Sequence, residues 1–209
     1  DFLGNTQGAL KLEPQRTNSL TYSEDFSNAS WISNNLSVLS ENGISPEGVT
    51  NASKIIEDTS NTDHKTRQSI TFSATSYTWS AFFKSAERSF SVINVYDGTT
   101  LFGHTFDLLN GVIGLPVSGS GSVNASIESY KNGWYRCSIT FTASAGSGQA
   151  NLGIAFSESV ISYTGDGTSG VYIYGAQLEA GSYSTSLIKT QGSAVTRLAE
   201  TCTNGGNDQ

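Results

Sequence analysis

The 209-residue chain has no methionine, three prolines, two histidines and two cysteines, and only 14% of its residues are charged. Cys137 and Cys202 lie far apart and the histidines are isolated, which excludes zinc and CxxC redox spacings. Lys and Arg number 11 against 18 Asp and Glu, a formal net charge of −7, and no basic run occurs. A nucleic acid, whose phosphates need such clusters, is therefore excluded as partner. No window approaches the ~18 consecutive apolar residues of a membrane-spanning helix, so membrane insertion is not expected. Nucleophile motifs and phosphate-cradling glycine loops are missing too, and the chain reads as no enzyme. The start at Asp1-Phe2-Leu3-Gly4, without methionine, reads as a processed product or an excised domain.

What the chain has in quantity is Ser, Thr, Asn and 22 Gly, the make-up of strands and turns. The clearest strand follows the Asn132-Gly133 turn signal. It places Tyr135, Cys137, Ile139 and Phe141 on one face and Trp134, Arg136, Ser138 and Thr140 on the other. Such a half-apolar strand needs a second layer to pack on. Tyr77, Trp79, Ala81 and Phe83 share one face of a further strand, and Ser89–Tyr96 alternates up to the Asp97-Gly98 turn. Asn110-Gly111 marks a hairpin, and Val171 to Glu179 is the last strand. Glu57 to Arg67 is polar and acidic and reads as a loop. About ten short strands at such spacings predict an all-β fold, a single sandwich of two antiparallel sheets. Its span is 19–181, between an extended N-terminal arm at 1–18 and an extended polar C-terminal tail at 182–209. Cys137 falls on the inward row as a small hydrophobe, and Cys202 lies in the tail; a bridge between them stays open.

In order, Leu20–Trp31, Tyr77–Lys84, Gly133–Thr142 and Val171–Glu179 resemble the strands of jelly-roll carbohydrate-binding modules with a galactose-binding-like fold. The chain is also similar to a domain of bacteriophage tail and virion fibre proteins. That likeness is carried by Leu12–Asn18, Asn132–Arg136, Gly165–Gly181 and Gly192–Arg197. The resemblance implies a jelly roll that binds polysaccharide on a host surface, at the virion surface or otherwise outside the cell. Other virion subunits and a homo-oligomer such as a trimer are implied partners. A purely structural virion domain, or a binding module of a secreted polysaccharide-degrading enzyme, are the alternatives. The calcium-dependent modules carry acidic residues where this chain has Ser27 and Tyr174-Gly175. If Ca2+ is bound, Glu24 and Asp25 are the candidate ligands.

Sugar recognition needs exposed aromatic faces beside planar polar groups. Tyr172 and Tyr174 alternate with Val171 and Ile173, on the non-core face; Phe102 follows the Asp97-Gly98 turn beside His104; Trp31 and Tyr96 complete the candidate set. Trp134 reads as packing at the sandwich edge. Glu57, Asp58, Asp63 and His64 match no metal-ligand spacing and read as a solvated loop.

Overall fold

The computed structural model describes residues 12–201, and two antiparallel sheets account for most of them. Sheet A has the strand order β10 (Asn124–Ser129), β11 (Trp134–Thr142), β6 (Ser76–Ser85), β14 (Gly170–Ala180), β4 (Thr50–Glu57), β3 (Leu36–Ile44). Sheet B runs β13 (Ser162–Thr164), β5 (Asn61–Phe72), β12 (Gly146–Ala155), β7 (Phe90–Tyr96), β8 (Leu101–Asp107), β9 (Val112–Pro116). The short β2 (Ile32–Asn34) also pairs with β5, and β1 (Arg16–Asn18) pairs with β15 (Val195–Arg197) in a separate ribbon. The all-β sandwich expected from the alternation, with the jelly-roll form that the resemblance implies, is therefore the fold.

Its core forms where the inner rows meet. Register sets Cys137 against Ala81, Ile139 against Trp79 and Phe141 against Tyr77, and this row faces Ile93, Val95, Ala150, Leu152 and Ile154 of sheet B. Each large side chain removed from water in this way contributes about 2 kcal/mol. Trp79 joins the layers with a directional bond as well: its Nε1 donates to the Asn151 carbonyl of β12 at 2.9 Å.

Two readings need correction. The segment Glu57–Arg67 is not a loop: β5 covers most of it and lies between β12 and β2. Before Ile70 and Phe72 its inward residues are His64, Thr66 and Gln68, all buried, so the hydrophobic signature of a half-buried strand is absent in that part although the alternation is real. The stretch 182–200 is extended but docked onto the sandwich, with Thr185, Ile188 and Thr190 buried. Two of the loops read from turn signals are turns in the structure, Gly98 at φ +99° and Gly111 at φ +66°. Cys137 is buried, and burial pushes its thiol well up; Cys202 lies outside the described residues, so its pairing does too.

Candidate functional site

The outer face of sheet A is closed by the chain itself. Residues 182–191 cross it as a strap, anchored by Glu179, whose carboxylate accepts from Gln177 Nε2 (2.7 Å), Thr185 N (2.8 Å) and Thr185 Oγ1 (2.7 Å). Ile188 N donates to Gln177 Oε1 at 2.6 Å, and Glu13 takes Ser186 N at 2.9 Å and Arg197 Nη1 at 2.6 Å. Beneath the strap Phe82, Trp134, Tyr174 and Ala52 form a second apolar cluster with Leu187 against it. A bulge makes this possible. Between Tyr174 and Gln177 β14 has one residue more than β6, and Gly175 takes φ +57° where a Cβ would meet Leu187 at 2.8 Å.

Tyr174 is thus on the non-core face as read from the alternation, yet it is 1% exposed. Its hydroxyl donates to Glu24, and burial together with Glu24 and Glu47 pushes its ionisation far up. Tyr172 is half-buried, with the Lys54 ammonium 5.8 Å from its ring centre and Gly43 against its edge. Trp31 is buried against Phe26, 5.0 Å between centroids, and its Nε1 donates to the Tyr22 carbonyl. Phe102 is not in a loop: β8 begins one residue earlier and turns it into the core, stacked on Phe141 at 4.9 Å. Tyr174, Trp31 and Phe102 are buried and offer no open ring face to a sugar, whereas Tyr172 stays part-exposed. Trp134 packs under the strap side and donates from Nε1 to the Ile44 carbonyl.

Glu24 and Asp25, the candidate Ca2+ ligands, each have other partners in the structure. Lys189 Nζ lies 3.1 Å from Glu24 and 2.8 Å from Glu47, so an ammonium holds the place between those carboxylates. Asp25 Oδ1 accepts from the Ser27 hydroxyl (2.6 Å) and amide, closing its own turn. The acidic stretch around Glu57 is equally committed. Glu57 is buried and receives the Arg88 guanidinium, the Tyr163 hydroxyl (2.6 Å) and the Asp166 amide (3.0 Å). Burial opposes its charge, but these donors outweigh it and hold the carboxyl below its usual range. His64 Nδ1 sits 2.6 Å from the Asn35 carbonyl. Among the described residues no three acidic, histidine or cysteine side chains could share a metal.

Tyr96 is the remaining candidate, and its surroundings differ from all of these. It stands on the outer face of sheet B, 43% exposed, with its hydroxyl donating to the Gly98 carbonyl at 2.8 Å, so the turn fixes the ring. The register lays two rows across this face. Ser69, Gln149, Tyr96 and Leu101 form one; Arg67, Asn151, Asn94 and Gly103 form the next. Beside the first row is a depression of about 320 Å3 lined by Ser69, Thr71, Tyr96, Ser147 and Gln149. In the second row Asn151 is 3% exposed, and its Oδ1 has no hydrogen-bond partner. Toward β8 the face is covered: Val117 packs on Gly103, where a Cβ would lie 2.9 Å from it, and Val92, Ala155 and Val117 make a small third cluster.

The open half therefore carries one held aromatic ring among hydroxyls and amides, with a guanidinium at its far corner. No family model matches the chain. No curated protein matches it either. Among solved structures it is similar to the CBM22-1 xylan-binding domain of Paenibacillus barcinonensis Xyn10C, at 13% identity over 80% of this chain and 94% of that one, TM-score 0.45. It is also similar to the Clostridium thermocellum xylanase Xyn10B CBM22-1–GH10 modules complexed with xylohexaose, at 11% identity, TM-score 0.44. That match covers 85% of this chain and 30% of the other. At such identities the functional reading has to come from the face itself.

Arg67, Ser69, Asn94, Gln149 and Asn151 were not among the residues singled out from the sequence. A usable signal was there for two of them: Asn94 interrupts Val92-Ile93-Asn94-Val95, and Asn151 precedes Leu152 in another apolar strand. An amide amid strand-forming apolar residues has to be explained by what it bonds.

Proposed function

We propose that this domain is a non-catalytic carbohydrate-binding module whose ligand lies across the outer face of sheet B. The observation that carries the reading is Tyr96, exposed and held by its hydroxyl bond, at the edge of a depression whose other lining includes Ser69, Thr71, Ser147 and Gln149. A pyranose stacks its apolar face on an aromatic ring while its hydroxyls bond to planar amides, and the held Tyr96 ring stands directly opposite the part-exposed Gln149 amide. The polar row Ser69–Gln149 extends the contact along the sheet.

The wider setting rests on the ordered resemblance to phage fibre and tail domains. The module would be carried on a virion surface, outside the cell, and hold polysaccharide of the bacterial host. Calorimetry against purified host-surface polysaccharide tests the reading. Binding that Tyr96→Ala and Gln149→Ala both weaken is expected; no heat at millimolar sugar, or binding indifferent to both changes, overturns it. The neighbouring genes separate a virion component from the module of a secreted glycan-degrading enzyme.

A further inference from the structure

The charges on the open face are unequal. Lys65 Nζ is neutralised by Asp63 at 2.5 Å, whereas Arg67, next in the outward row of β5, has only a neutral partner: its Nε donates to Asn34 Oδ1 at 3.1 Å. Among the described residues no carboxylate lies within ion-pair distance of Arg67, although Arg16, Arg88 and Arg197 each have one. The neighbours of Arg67 on the face are Asn151, directly opposite on β12, and Ile32, directly opposite on β2. The residues lining the adjacent depression are likewise uncharged. On a chain with net charge −7, the open face thus holds one uncompensated cation.

Resting on the carbohydrate reading above, we infer that this face selects acidic polysaccharide, with Arg67 pairing the carboxylate of a uronic acid. With Nε engaged by Asn34, the guanidinium is oriented and its Nη donors remain for a two-pronged bond to a carboxylate. Two strand spacings and two residues separate Arg67 from Tyr96, about 12 Å from the sheet geometry. One sugar therefore stacks on the ring while another along the same oligosaccharide meets the cation. The net negative charge of the domain opposes an anionic ligand at long range, but that repulsion is screened beyond ~8 Å at physiological ionic strength, and the direct pair is not.

The test compares each of a panel of uronate-containing bacterial polysaccharides with its own carboxyl-reduced form, which keeps the backbone and loses the charge. Wild-type protein should bind the acidic form about five-fold more tightly, in line with a partly exposed ion pair, and the ratio should shrink as NaCl is raised. Arg67→Gln should bring the ratio to one, with Arg67→Lys retaining part of it, and circular dichroism melts check that both variants fold. Equal binding of the two forms by wild type, lost in Tyr96→Ala, overturns the acidic preference and leaves the carbohydrate face standing. A preference that persists in Arg67→Gln also overturns the assignment to Arg67. Binding to neither form overturns the inference and the reading beneath it together.

Discussion

The two outer faces of this sandwich differ both in the side chains they present and in what covers them. Sheet A presents Phe82, Trp134, Tyr172 and Tyr174 outward, a larger aromatic surface than sheet B displays, and the strap 182–191 covers much of it. Sheet B presents one held tyrosine among amides and hydroxyls, and the half nearest β5 stays bare. Aromatic content alone therefore does not locate a binding face. What matters is whether the chain has used that surface for its own packing.

The largest effect should come from opening the covered face. Glu179→Ala leaves Thr185 N and Thr185 Oγ1 without their acceptor and removes the shortest bond of Gln177 Nε2, all in a fully buried place, and should lower stability by about 3 kcal/mol in urea unfolding. Loosening of the strap should show as increased quenching of Trp134 fluorescence. If neither changes, the strap is an ornament and the contrast between the faces is lost.

Next in size is a test on the open side. Asp97 closes the turn after β7, at the end that carries Tyr96. Burial disfavours its charge, but the amides of Ser144, Thr100 and Thr99 and the Thr99 hydroxyl prevail and bring the carboxyl down to about 2. Because the folded value is depressed, its stabilisation is complete above the unfolded value near 3.8 and disappears as pH falls toward 2, a loss of about 2 kcal/mol. Asp97→Asn should be less stable at neutral pH and should flatten that acid limb in thermal melts.

Smaller in energy but sharper for function, Tyr96→Ala should weaken polysaccharide binding about ten-fold while changing unfolding stability by less than about 0.5 kcal/mol, since the ring is a surface side chain. Tyr172→Ala, on the other sheet, should leave binding unchanged. Equal losses from both would erase the distinction between the faces. The smallest effect is expected from Lys189→Met, whose ammonium is about half exposed between Glu24 and Glu47: under about 1 kcal/mol, and reduced by salt. EDTA should leave the wild-type melting curve in place, because an ammonium holds the position between those two carboxylates; a drop would put a metal back into consideration.

Much of the sandwich was legible from alternation. The rows Tyr77-Trp79-Ala81-Phe83 and Tyr135-Cys137-Ile139-Phe141 face inward as read, because period 2 in a strand with one apolar face admits a single orientation. Where the alternation was polar on its inward face, as in the first part of β5, the strand was missed; there His64 is held by the Asn35 carbonyl, and Gln68 Oε1 accepts from Thr21. The candidate site was read less well. Alternation placed Tyr174 away from the core but carries no information about a strap arriving from later in the chain. Phe102 was misplaced by a matter of where β8 resumes after a correctly read turn. Tyr96 alone of the proposed aromatics is exposed on an open face, and Arg67 was hidden within the supposed loop.

The β1–β15 ribbon has an outcome for handling the domain. Arg16 pairs with Arg197, and Glu200 N donates to the Glu13 carbonyl at 2.9 Å, so the two described termini leave together, beside the sheet that the strap covers. Splicing the unit into a host loop at Glu13 and Glu200 would consequently need no spacer, and would mount it like a signboard with Tyr96 turned away from the post.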